Sequence, residues 1–173
     1  TIRIGNNSTN ATLSYFGMGD TSDRVIDLSG TTGSVTLDQS GTNLLKYTGG
    51  MQISANGNKT LTFQGSSIGA GEFSGSISNG VSSMLSVTKA GSGVWTLSGD
   101  NSYTGNTTLS AGTLVLAHPH SLGTNNWVLM PNTVGTLDFA NSGVGETPYS
   151  FQMNAGTVAT LRSNRGDEGD GRG

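Results

Sequence analysis

Two histidines, His118 and His120, flank Pro119 and are the only imidazoles among the 173 residues. Imidazole nitrogen suits zinc-like cations, but such a site needs at least one further ligand close by. The next carboxylate along the chain is Asp138, so His118-Pro119-His120 reads as a solvent-facing turn and no metal ligand is assigned. Asp20, Asp23 and Asp27 are near neighbours in sequence, yet nothing pairs them as acid and base. Glycan-cleaving chemistry requires carboxylates gathered across one groove, whereas the charges here are scattered, so no catalytic residue and no cofactor site is assigned. Gly166 to Gly171 is rich in carboxylates but lacks the order of a calcium loop. The tripeptide Arg165-Gly166-Asp167 lies in the same stretch, and residues 163–173 read as a flexible polar tail. Aromatic rings on an exposed face can stack on sugars. Trp95 and Trp127 are the candidates to face such a ligand, whereas Tyr103, beside a glycine corner, reads as sealing the core.

Composition narrows the elements able to position these groups. Glycine contributes 28 residues and charged side chains only 11%, with a formal net charge of −3. Disorder calls for high charge and few aliphatics, but Leu, Ile, Val and Phe recur in short alternating runs. No basic cluster exists to hold nucleic acid. There is no cysteine, which excludes disulfides and thiolate metal sites. No apolar run is long enough for a transmembrane helix.

Strand-like runs recur about every 10 residues, the spacing of an all-β sandwich, barrel or solenoid. Ile2 and Ile4, Leu13 and Tyr15, Arg24 to Leu28, Ser34 to Leu37, Asn43 to Tyr47, Met51 to Ser54 and Lys59 to Phe63 alternate between corners rich in Gly and Asn. Gly17 to Asp23 reads as a loop. Val94 to Leu97, Thr107 to Ser110 and Thr113 to Leu116 follow, then Asn126 to Met130, Val134 to Phe139, Tyr149 to Met153 and Val158 to Arg162. The loops are too short to cross between the sheets of a sandwich. The expected fold is therefore an all-β, right-handed parallel β-solenoid over residues 1–162, with strands pairing coil to coil at about 4.8 Å. Inward positions fall on Leu13, Ile26, Leu28, Val35, Leu37, Leu45, Ile53, Leu61, Phe63, Ile77, Leu85, Val87, Leu97, Leu109, Leu114, Leu116, Leu137, Phe139 and Phe151. Gly99, Asn101, Gly105 and Gly112 are the expected structural corners. The three glycines are expected at positive φ, Gly105 most of all.

One segment carries more than strand grammar. Gly93, Thr96, Leu97, Ser98, Gly99, Asn101, Tyr103, Thr104, Gly105, Thr107, Gly112 and Leu114 match, at fixed spacing, the autotransporter-associated (passenger-associated) β-strand repeat, best over residues 86–116. Residues 24–33, 38–46, 59–66 and 71–77 resemble the module that precedes this repeat in large bacterial cell-surface proteins. The resemblance implies a non-catalytic structural or interaction module of a bacterial cell-surface or secreted protein, acting as a rigid spacer. Alternatives are an adhesin that binds glycans or a host receptor through one face and, behind it, a polysaccharide-cleaving enzyme on the same fold. Thr1-Ile2-Arg3-Ile4 begins in strand alternation and Thr157 to Arg162 is still strand-like. The expected partners are accordingly a continuation of the same chain, or identical subunits stacked end to end as a filament.

Overall fold

The computed structural model describes residues 1–66, 68–125, 127–131, 134–140 and 149–163; the expected polar tail beyond Ser163 lies outside these. The described chain is all-β, wound into the stacked coils of a solenoid. Strands β1 (Ile2–Ile4), β2 (Ala11–Tyr15) and β3 (Asp20–Ser22) make the first coil. The second holds β4 (Ile26–Leu28), β5 (Gly33–Gln39) and β6 (Leu44–Tyr47), and the third β7 (Met51–Gln52), β8 (Lys59–Gly65) and β9 (Ala70–Phe73). Later coils carry two strands each. They are β10 (Leu85–Lys89) with β11 (Val94–Leu97), then β12 (Thr107–Leu109) with β13 (Gly112–Leu116). Next come β14 (Trp127–Met130) with β15 (Val134–Phe139), and β16 (Ser150–Met153) with β17 (Val158–Ser163).

These strands form two walls of seven strands and a third of three, β1-β4-β7. Each strand pairs in parallel with its counterpart one coil away, so one column runs Leu13, Leu37, Phe63, Lys89, Leu109. The alternation seen in sequence becomes in-and-out alternation: in β8 and β10 every second residue is buried. Most expected inward residues are buried, and Leu13, Ile53 and Phe139 pack against them at the margin. Phe151 departs from the expectation, being 37% exposed. It continues the inward column beyond Val128, but stands in the last described coil, with no described neighbour stacked on its far side. The expected loop at Gly17 to Asp23 also departs, because Asp20–Ser22 is a strand paired with Leu45 to Tyr47. Its sequence has no apolar alternation, and the register of the next coil supplies its order.

Beyond β7 the third wall is held by single bonds rather than a strand. Met51 donates its amide to Ser76 O at 2.8 Å, Ser102 to Ile77 O at 2.9 Å and Thr124 to Tyr103 O at 3.1 Å. The side chain of Asn101, which is buried, spans the coils on both sides. Its Oδ1 accepts from the Ile77 amide at 2.9 Å and its Nδ2 donates to Ser121 O at 2.8 Å. An interior amide with both ends bonded replaces the missing ladder. Corner asparagines act similarly at the rim, where Asn10 Oδ1 accepts the Ser34 amide and Asn58 Oδ1 the Met84 amide.

Of the three corner glycines, Gly112 alone adopts positive φ, at 70°. Gly99 and Gly105 do not, which corrects the expectation for both. Their need for glycine is closeness: a Cβ on Gly99 would fall on the carbonyl oxygen of Gly75, and one on Gly105 on that of Leu85. At Gly105 the backbone is held there by its own amide, which donates to Leu85 O at 2.9 Å. Gly99→Ala and Gly105→Ala are each expected to cost more than about 1 kcal/mol, whereas Ser82→Ala, at an exposed site, stays within about 0.5 kcal/mol. Denaturant titration of the three variants measures the difference.

Candidate functional site

The groups with chemical potential divide between the core and the outer walls. Trp95 belongs to the core. It is fully buried, its indole lies over Gly71, whose hypothetical Cβ would collide with the ring, and Phe63 packs on it at 4.6 Å between centroids. Its Nε1 donates to Gln64 O at 2.8 Å. Trp95 therefore faces no ligand, correcting the sequence expectation, because its position in β11 has inward parity. Trp127 is 36% exposed at the start of β14. Tyr103 is buried, with its hydroxyl 2.8 Å from Thr107 Oγ1.

Two lysines that sequence reading passed over also point inward. Lys89 is fully buried, in the column between Phe63 and Leu109. Its ammonium donates to the carbonyls of Ala90 (2.5 Å), Gly91 (2.9 Å) and Ala111 (3.2 Å), joining the corners of two successive coils. An ammonium has three donors and here each finds a carbonyl. Lys59, in β8, meets Thr31 O, Asn56 O and Gly57 O in the same manner. Burial lowers the Lys89 pKa to about 8 and pulls Lys59 below its ordinary value. The signal was present in the sequence as inward parity: Lys59 falls in step with Leu61 and Phe63, and Lys89 with Leu85 and Val87.

Outside, one wall presents a column of threonines, Thr12, Thr36, Thr62, Thr88 and Thr108, in direct coil-to-coil register. Beside it run Ser34, Thr60 and Ser86. Paired strands place these hydroxyls about 4.8 Å apart. The other long wall carries Lys46 and Glu72, paired at 2.9 Å, with Ser98 donating to the same carboxylate at 2.6 Å. Desolvation pushes the Glu72 pKa up, but the bonds from Ser98 and Lys46 outweigh it and hold the pKa below the ordinary value. Two of the three aspartates weighed for catalysis are separately engaged. Asp27 is buried and bound by Arg3 at 3.2 Å and by the Ser54 hydroxyl at 3.0 Å, while Asp20 accepts its neighbour's amide.

The histidine pair has a neighbour that the linear sequence did not suggest. One coil earlier, 20 residues from His120, Asp100 places Oδ1 at 2.7 Å from His120 Nδ1. His118 Nδ1 accepts the His120 amide at 3.1 Å. The signal was the coil period itself, which stacks the corner after β11 on the corner before β14. The calcium-like and Arg-Gly-Asp stretches lie outside the described residues.

Parallel strands, stacked coils and corners spliced by glycine and asparagine define a β-solenoid built of repeats. Residues 87–116 match the passenger-associated-transport-repeat family. The chain is also similar to the Adhesin BmaC autotransporter of Brucella suis biovar 1 (strain 1330), 31% identical over 123 residues. That similarity covers 69% of this chain and 4% of the Brucella protein. No solved structure matches the chain. Together the repeat match and the relative support a passenger module of a surface protein. Among the described residues no helix is long and apolar enough to cross a membrane.

The buried lysine gives a pH signature. With the folded pKa of Lys89 lowered to about 8, the unfolded chain binds more protons between that value and the ordinary lysine value of about 10.4. Stability therefore rises with pH across this window. Tyr47 and Tyr103 oppose it above their ordinary value, since burial raises both and the unfolded chain ionises first. Thermal melts are thus expected to rise from pH 8 to pH 10 (about the ordinary tyrosine value). The slope should be reduced, though not abolished, in Lys89→Met, because Lys59 shifts in the same direction.

Proposed function

We propose that the chain is a non-catalytic spacer, a rigid segment of a surface passenger that sets distance and displays its walls. The observation that carries this reading is the unbroken interior column running from coil to coil, interlocked with hydrogen-bond ladders along both long walls. A stack of that kind has no hinge at which one coil can move without breaking its neighbours' bonds. Backbone nitrogen-15 relaxation should give order parameters near 0.85 throughout β5 to β13, whereas values below about 0.6 in any of these strands would contradict a rigid spacer.

Adhesion is the second reading, favoured by the name of the Brucella relative and by the exposed ring of Trp127. The hydroxyl wall beside it offers evenly spaced donors and acceptors to a sugar chain. A glycan array should then show binding that is lost in Trp127→Ala; binding unchanged in that variant, or none at all, removes this reading. Among the described residues the end coils pair on one side only, which leaves strand edges open to pairing, and we propose that they stack on further solenoid, either of a longer chain or of a second copy. Light scattering on the 173-residue chain tests the second-copy version. Growth with concentration supports it, and a monodisperse monomer at all concentrations counts against it.

A further inference from the structure

His118, His120 and Asp100 come together through the stacking of two coils, and one ligand atom from each lies within 4.8 Å of the others. We propose that they form a divalent transition-metal site, of the zinc type, that clips these coils together. Two imidazoles and one carboxylate are the donor set of a borderline-soft cation and leave a further position for water. Calcium and magnesium, which take oxygen ligands almost exclusively, do not suit it.

The backbone is already arranged for such an ion. The turn that carries both imidazoles is held by Ser121 N donating to His118 O at 3.0 Å, Gly123 N to His120 O at 3.0 Å and His118 N to Ser121 Oγ at 2.9 Å. Pro119 stiffens it between the rings, and Tyr149 from the next coil donates to Pro119 O at 3.1 Å. The side chains at the site keep freedom. Those of His120 and Asp100 are 59% and 71% exposed. A tetrahedral zinc ion at 2.0–2.2 Å from each ligand needs those atoms about 3.4 Å apart. Closing that gap requires the two exposed side chains to rotate. His120 and Asp100 already share a hydrogen bond at 2.7 Å, whose proton zinc would displace to solvent as the pair opens to ligand spacing, and His118 Nδ1 shows its lone pair by accepting the His120 amide. The ion would replace that weak bond.

The corners joined are those of successive coils, with Asp100 following β11 and the histidines preceding β14. An ion there ties a join that no strand covers, since the third wall at this level relies on the Asn101 side chain and single backbone bonds. Binding to the folded chain alone raises its stability by mass action.

Zinc chloride titrated calorimetrically into the chain, free of any affinity histidines, is the test. The expected result is one ion per chain with low-micromolar affinity, no comparable heat from calcium chloride, and a zinc-dependent rise in melting temperature. His120→Ala and His118→Ala should each weaken zinc binding at least tenfold, and Asp100→Asn by less, while the zinc-dependent rise in melting temperature is lost in His120→Ala. No zinc binding would overturn the proposal. So would zinc binding of undiminished strength in the His118→Ala/His120→Ala double variant, which would assign the ion to other carboxylates. Either result leaves the spacer reading untouched, since rigidity of the zinc-free chain is measured separately.

Discussion

Each described coil of this protein depends on backbone hydrogen bonds made to its neighbouring coils. A coil has no internal ladder: its amides and carbonyls point along the solenoid axis, and a buried unpaired one would cost a few kcal/mol. Parallel register between equivalent strands follows, and with it the coil length. Leu37 lies 24 residues after Leu13, and Phe63 26 residues after Leu37, because each must stand over its predecessor. Where the chain shortens its step, from Lys89 to Leu109, it does so at corners, leaving the strands in register.

That axial spacing also decides where glycine is required. At about 4.8 Å between strands, a corner that passes directly over a carbonyl has no room for a Cβ, and this governs Gly99 and Gly105. The same closeness brings corner carbonyls near the interior, where Lys59 and Lys89 gather them. A lysine in a hydrophobic column is costly to desolvate, and the lowered pKa of Lys89 records that cost. Its alkyl stem fills the column between Phe63 and Leu109, while its head binds the corner carbonyls of Ala90, Gly91 and Ala111. Asn101 plays the equivalent part on the third wall, and Gly71 leaves the space that the Trp95 indole fills.

Much of this was legible in the sequence, because alternation and corner residues report directly on a pleated strand and its ends. Strand positions, the parallel stack and most of the core follow from Leu, Val and Ile at alternate positions. What escaped was information about neighbours one coil away. Trp95 looks like a candidate binding ring until Gly71 is seen beneath it, and the lysines look like surface charges until their parity is compared with that of Leu61 and Val87. Asp100 is remote from His120 in sequence and adjacent in space for the same reason. The corner glycines were recognised but assigned the wrong cause at Gly99 and Gly105, since local turn chemistry cannot reveal a carbonyl contributed by another coil.

The central claim is that coils are held by axial bonds, with the Asn101 side chain standing in for a strand on the third wall. Residue-resolved hydrogen exchange tests it at one amide. Ile77 N is bonded to Asn101 Oδ1 across 24 residues of sequence, so in the native protein it should exchange as slowly as the amides of β10 and β11. In Asn101→Ala it should become fast while the β10 and β11 amides remain protected. Protection of Ile77 that survives the substitution, or rapid exchange throughout β10 and β11 in the unaltered chain, would contradict the account.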